Sequence, residues 1–133
     1  MYDKDKEIFW IELEQKKIGL IVIHDSSDTI PLFDIRLEEK ARGKGIGELA
    51  LKWLTQYIFS HPVKKIRIEA YTRSDNTAMR KTLHKCGFVK EGYLRQAWEH
   101  EDGSVFDSVC YAIIRNDWEN QTRTPIKLDD LPY

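Results

Sequence analysis

Apolar and β-branched residues gather in two short runs near the start of the chain, Ile8 to Leu13 and Ile18 to Ile23. The polar residues Gln15, Lys16 and Lys17 separate them, a pattern that predicts a hairpin. His24 to Thr29 is rich in Asp and Ser and reads as a loop. Ile30 to Glu38 alternates again, with Phe33, Ile35 and Leu37 on one face, and predicts a third strand. The period changes at Gly45. Ile46, Leu49, Ala50, Trp53, Leu54, Tyr57 and Ile58 recur at helical spacing, and Pro62 sets a stop near His61.

Beyond the proline, Lys64 to Tyr71 alternates as a strand, with Ile66, Ile68 and Ala70 on one face. Ser74 and Asp75 are N-cap residue types for a second helix carrying Ala78, Met79, Leu83 and Cys86. Gly87 stands where a C-cap belongs. Phe88 to Glu99 and Val105 to Ile114 form a second hairpin across Glu101 to Ser104. Residues 115 to 133 form a polar tail with one short helix near Asp117 and Trp118. The order β-β-β-α-β-α-β-β predicts an α/β (α+β) fold, with a mixed, mostly antiparallel central sheet and helices packed on it. With no repeat and no linker, residues 1–133 read as one domain.

Composition narrows the chemistry. The chain has 133 residues, 41% of them hydrophobic and 32% charged, at a formal net charge of -1. That balance argues against a nucleic-acid binder, which usually carries a strongly basic face. Cys86 and Cys110 make no disulfide framework, and His24, His61, His84 and His100 lack metal-ligand spacing, so no metal is expected. No apolar run is long enough to span a bilayer, and no signal-peptide core follows Met1. The reading is a cytoplasmic protein with no membrane partner.

The segment Arg42, Gly43, Lys44, Gly45, Ile46, Gly47 lies between a strand and an amphipathic helix. Glycines let backbone N–H groups approach a ligand, and the first amides of a helix have no internal partners. The helix dipole, Arg42 and Lys44 add positive charge, so the loop suits a phosphate or pyrophosphate. The Walker pattern fails because Lys44 is followed by Gly45. The dinucleotide pattern fails because the glycines fall as G-x-G-x-G.

These residues resemble the R/Q-x-x-G-x-G/A signature of the GNAT superfamily of N-acetyltransferases, through Arg42, Gly45 and Gly47. Asn76 with Ala78 follows, then Leu83, Lys85, Gly87 and Phe88. Glu91, Gly92, Leu94 and Arg95 come next, then Asp107, Tyr111, Arg115 and Trp118. The series is similar to the branch containing ribosomal-protein N-terminal acetyltransferases. The resemblance implies acetyl-CoA as cosubstrate and transfer to a primary amine on a peptide or small molecule. It implies that backbone groups at Leu37 and Glu38 hold the pantetheine arm and thioester. Amides from Gly43 through Lys44, Gly45 and Ile46 to Gly47 would hold the pyrophosphate, with Asn76, Arg80 and Lys85 as further cofactor contacts.

Transfer from a thioester to an amine needs a base and stabilisation of an oxyanion. Glu69 is the candidate base by resemblance; its alternative is pairing with Arg67 or Lys65. The acid is less evident: Leu83 stands where many members carry Tyr, and Met79 where another branch carries Ser. Tyr111 is the remaining candidate. Asp107 binds either a cationic acceptor or Arg95. Cys86 reads as a buried small residue, and Trp10 and Trp53 as core. Family members usually place a strand and two helices ahead of the hairpin that begins here near Ile8. The acceptor wall is therefore missing, shortened or supplied by another subunit, and a homodimer is one way to close it. A non-catalytic acyl-CoA-binding module and a nucleotide-binding domain are the competing readings.

Overall fold

The computed structural model describes residues 5–133. Its elements are β1 (Lys6–Leu13), β2 (Lys16–His24), β3 (Leu32–Leu37), α1 (Ile46–Phe59), β4 (Arg67–Arg73), α2 (Thr77–Lys85), β5 (Val89–Glu99), β6 (Val105–Ile114) and α3 (Arg115–Asn120). A 3-10 turn at Glu39–Ala41 leads into the glycine loop. The strands form one sheet in the order β1-β2-β3-β4-β6-β5. All neighbours are antiparallel except β3 and β4. The predicted mixed, mostly antiparallel sheet with helices packed on it is the architecture observed.

Helices α1 and α2 lie on one face. Ile21, Ile23, Phe33, Ile68, Val109, Tyr111 and Ile113 of the sheet meet Leu51, Leu54, Ile58 and Leu83 of the helices. Burying such side chains contributes about 1.5–3 kcal/mol each before conformational entropy is set against it. The buried stripe of α1 is narrower than its apolar pattern. Leu51, Leu54, Thr55, Ile58 and Phe59 are covered, whereas Leu49 and Trp53 remain exposed. Trp53 still stacks on Tyr57 and meets Phe9 edge-on.

Four sequence readings are corrected. Trp53 is not core: it is 45% exposed on α1. Trp10 is not core: it lies on the helix-free face and is 56% exposed, with Lys17 Nζ 4.7 Å from its ring centroid. The strand expected at 64 to 71 begins only at Arg67. Ile66 points out, whereas Lys65 is buried, its Nζ donating to the carbonyls of Ser26 (2.6 Å) and Asp28 (2.7 Å). Those carbonyls come from a distant loop, so the ammonium is satisfied without a carboxylate. The cap of α2 is Asn76, whose Oδ1 accepts from the Met79 amide at 3.2 Å.

The tail is held by one buried acid. Asp117 Oδ1 accepts from Thr122 Oγ1 (2.8 Å), and Oδ2 accepts from the Thr124 amide and hydroxyl (both 3.1 Å). Burial acts to raise this carboxyl's pKa, but the three hydrogen bonds outweigh it and hold the group below its ordinary value.

Candidate active site

β3 and β4 run parallel yet share a single paired position, Leu32 with Glu69. Beyond it the strands part into a V that opens toward Leu37 on one side and Arg73 on the other. The backbone at the end of β3 is fixed from the β2 side. Glu38 donates its amide to Ile18 O at 2.8 Å. Gly19 makes this approach feasible: a Cβ there would lie 2.5 Å from Arg36 O.

The chain then turns through Arg42 to Gly47 at the mouth of the V. Gly43 (φ 74°) and Gly45 (φ 79°) adopt left-handed conformations, which side chains disfavour. Gly45 is the N-cap of α1, and a Cβ on either glycine would meet nothing within 4 Å. Backbone shape, not crowding, therefore requires glycine at both. Gly47 differs, since a Cβ there would contact Leu37 Cδ1 (3.8 Å) and Thr82 Cγ2 (3.9 Å). Among the described residues, no hydrogen bond uses the amides of Gly43, Lys44, Gly45, Ile46, Gly47 or Glu48; the first helical bond runs from Leu49 N to Gly45 O. Six consecutive donors at a helix N-terminus, with Arg42 and Lys44 exposed beside them, form a receptor for a polyanion.

Other predicted residues divide into groups. Arg42 Nε donates to Leu37 O at 3.2 Å, so the loop's cation spans the mouth. Glu38 has its amide on Ile18 and its carbonyl on the Ala41 amide; neither is open. Asn76 spends Oδ1 on its own helix and keeps its amide donors. Arg80 and Tyr111 come together: Arg80 Nε donates to the Tyr111 hydroxyl at 3.1 Å, and a second nitrogen reaches Ser74 O at 3.0 Å. Tyr111 is buried. Lys85 lies at the far end of α2, on a groove with Lys52, Cys86 and Arg123. Burial raises the Cys86 thiol pKa, which fits an inert packing residue. Asp107 binds Gln96 N (2.8 Å) and the Tyr93 hydroxyl rather than Arg95.

Glu69 sits at the vertex of the V, with its side chain on the face away from the helices. Arg67 Nε donates to Glu69 Oε2 at 2.8 Å. The other end of that guanidinium grips Glu91 through both carboxylate oxygens, at 3.0 and 2.9 Å. Burial works against the Arg67 charge, but the two carboxylates more than offset it and push the guanidinium pKa up. Oε1 of Glu69 makes no hydrogen bond within the described residues. The Arg67–Glu91 grip was not read from the sequence. Its only signal is the alternation that puts Arg67 and Glu69 on one face.

A sequence-family model for the acetyltransferase (GNAT) domain matches residues 1–89, about two thirds of the chain. The chain belongs to the GNAT acetyltransferase family. No curated protein matches its sequence. Solved structures carry the GNAT fold across nearly its whole length. A dodecameric spermidine N-acetyltransferase from Vibrio cholerae aligns with a TM-score of 0.80 at 21% identity, over 91% of this chain and 71% of that one. The microcin C7 self-immunity acetyltransferase MccE, in complex with acetyl-CoA and AMP, aligns at 0.74 and 26%, over 84% and 62%. A probable acetyltransferase aligns at 0.78 and 22%, over 87% of this chain; the chain spans 66% of that protein's length. Among the described residues no helix is long and apolar enough to cross a membrane, and no cluster of His, Cys, Asp and Glu is placed to hold a metal.

Proposed function

We propose that this GNAT domain binds acetyl-CoA in the V between β3 and β4 and passes the acetyl group to a primary amine. One observation carries the reading: a parallel pair opening after a single rung, with six amides at its mouth that have no partner among the described residues. Those amides, with Arg42 and Lys44, suit the pyrophosphate. The backbone at Leu37 and the Asn76 amide donors face the arm. Asn76, Arg80 and Lys85 remain cofactor contacts proposed from the motif series, as does the ribosomal-protein N-terminal acetyltransferase-like branch. MccE, solved with acetyl-CoA, supports the cosubstrate.

The chemistry is direct transfer in a ternary complex. The neutral amine nitrogen bonds to the acetyl carbon, the C–S bond breaks, and the sulfur leaves with its electron pair as thiolate. The proton from the resulting ammonium passes to Glu69 Oε1, directly or through water. Backbone N–H groups of the splayed strands stabilise the oxyanion. Most of the remaining acceleration comes from holding the two reactants in register. Tyr111 is the proposed acid: its hydroxyl, which accepts from Arg80 Nε, would give its proton directly to the leaving thiolate.

Isothermal titration with coenzyme A tests the binding step. Arg42→Ala combined with Gly45→Glu is expected to weaken affinity at least about tenfold, or 1.4 kcal/mol; unchanged affinity refutes the assignment. Thiol release from acetyl-CoA across an amine panel tests transfer, and Glu69→Gln should lower kcat by roughly 10²–10⁴ if it is the base. A specific observation favours a second reading, a non-catalytic acyl-CoA-binding module. Leu83, where many members have the acidic Tyr, is fully buried in the core, so that turn of α2 offers nothing to a thiolate. Tight coenzyme A binding with no thiol release over the panel would establish the module.

A further inference from the structure

The tail covers part of the helix-free face. Asp117 holds it at Thr124, and beyond that point Pro125, Ile126 and Lys127 come to lie over Val89 and Glu91 of β5. Between tail and sheet is a pocket of about 320 Å³, within the size range of small-molecule sites. Its floor is Val89, Ala112 and Ile114, and Pro125 and Ile126 form its wall. Cross-strand partners share a face. Val89 pairs with Ala112, Ala112 with Glu69, and Ile114 with Arg67. The floor therefore adjoins Glu69, one strand away at about 5 Å.

The two ends of this surface differ in charge. At the Glu69 end, the carboxylates of Glu69 and Glu91 share the single guanidinium of Arg67. That leaves net negative charge to receive an ammonium. Within the pocket the acids are already engaged. Both oxygens of Glu91 accept from Arg67, and both oxygens of Asp117 accept from Thr122 and Thr124. Lys127 is the lining cation, and among the described residues it makes no ion pair. A second ammonium would find no open carboxylate here and would meet a like charge, whereas a carboxylate would find Lys127.

We propose that this pocket seats the body of the acceptor, and that the acceptor is an amine with an apolar body and a carboxylate at its far end. The inference rests on the reading of Glu69 as the base. The amine stands at Glu69, the body lies on Ala112 and Val89 beneath Ile126, and the carboxylate meets Lys127 Nζ. β6 lies between β4 and β5, so the surface spans two strand spacings, about 10 Å. A short alkyl chain covers that distance.

Calorimetric titration of three amines into the full chain saturated with coenzyme A tests this. ε-Aminocaproate, hexylamine and hexamethylenediamine share one apolar body and differ at the far end. The wild type should bind ε-aminocaproate at least about tenfold tighter than hexamethylenediamine, with hexylamine between them. Lys127→Glu should invert that order. Ile126→Ser should weaken all three about equally. Both positions are exposed, so the circular dichroism spectrum should not change. Equal affinities, a wild type that prefers the diamine, or an order that survives Lys127→Glu overturns the proposal. Thiol release from acetyl-CoA separates it from the reading beneath. Release indifferent to the far end of the amine keeps the transfer and refutes the pocket. The expected order of binding with no release on any of the three keeps the pocket and refutes the transfer.

Discussion

Arg67 provides the most quantitative test of how the candidate site is held. It makes three short contacts to carboxylate oxygens, at 2.8, 3.0 and 2.9 Å, and its side chain and those of Glu69 and Glu91 are 22–25% exposed. Hydrogen bonds to charged groups are worth about 1.5–3 kcal/mol each in mutational series. Fully exposed ion pairs contribute only about 0.2–1 kcal/mol. At intermediate exposure, roughly 1 kcal/mol per contact is reasonable. Arg67→Met also leaves two partly buried carboxylates on one face without their shared cation. The expected loss is about 2–4 kcal/mol, which in a chain of this size lowers Tm by roughly 8–16 °C. Arg67→Lys should recover only part, because an ammonium cannot present the planar fork that Glu91 grips. Differential scanning calorimetry reads both. The combined Arg67→Met, Glu69→Gln, Glu91→Gln chain should regain most of the loss, since no unpaired charge remains. A fall of less than about 2 °C for Arg67→Met would refute the estimate. A triple variant no more stable than the single one would show that packing, not charge, carries the cost.

Other outcomes follow from single contacts. Gly19→Ala places a methyl 2.5 Å from Arg36 O and should cost about 1–3 kcal/mol in urea unfolding; an unchanged midpoint would mean that β2 and β3 separate easily there. The Glu7 carboxylate accepts from the Tyr57 hydroxyl at 2.5 Å, and that bond, with burial, pushes the Tyr57 pKa up to about 12. Ultraviolet titration should show a late phenol near that pH, which returns toward 10 in Glu7→Gln. Asp117 has a folded pKa below its unfolded value, so its contribution is present above about pH 4 and is lost as pH falls through the lower folded value. Hydrogen exchange at Thr122 and Thr124 should accelerate in that acid window. In Asp117→Asn it should be fast at neutral pH as well.

Much of this arrangement could be read from residue pattern alone. The glycine loop was legible because left-handed backbone, missing side chains and flanking cations all follow from local chemistry at Gly43 and Gly45. The strands were legible wherever one face is buried, as at Phe33 and Ile68. What escaped depends on partners distant in the chain. Lys65 reads as a solvated lysine until the loop carbonyls of Ser26 and Asp28 are known. Trp10 reads as core because alternation says which residues share a face, not whether anything covers it. The V itself has no sequence signature, since β3 and β4 alternate normally and only their mutual geometry leaves one rung. The base assignment for Glu69 came from resemblance; its pinning by Arg67 and Glu91 needed the bulged register of β5.

The single rung at Leu32 and Glu69 has a mechanical consequence. It leaves the sheet as two plates, β1-β2-β3 and β4-β6-β5, joined at one seam and braced by α1 and α2. A flexible arm lying in that opening would satisfy backbone groups that a neighbouring strand normally satisfies, and would act as a temporary strand. Occupancy should then stiffen the whole domain rather than a pocket. The change would be read as slowed exchange along the facing edges of both plates, at Ile35 and Leu37 on one and Tyr71 on the other.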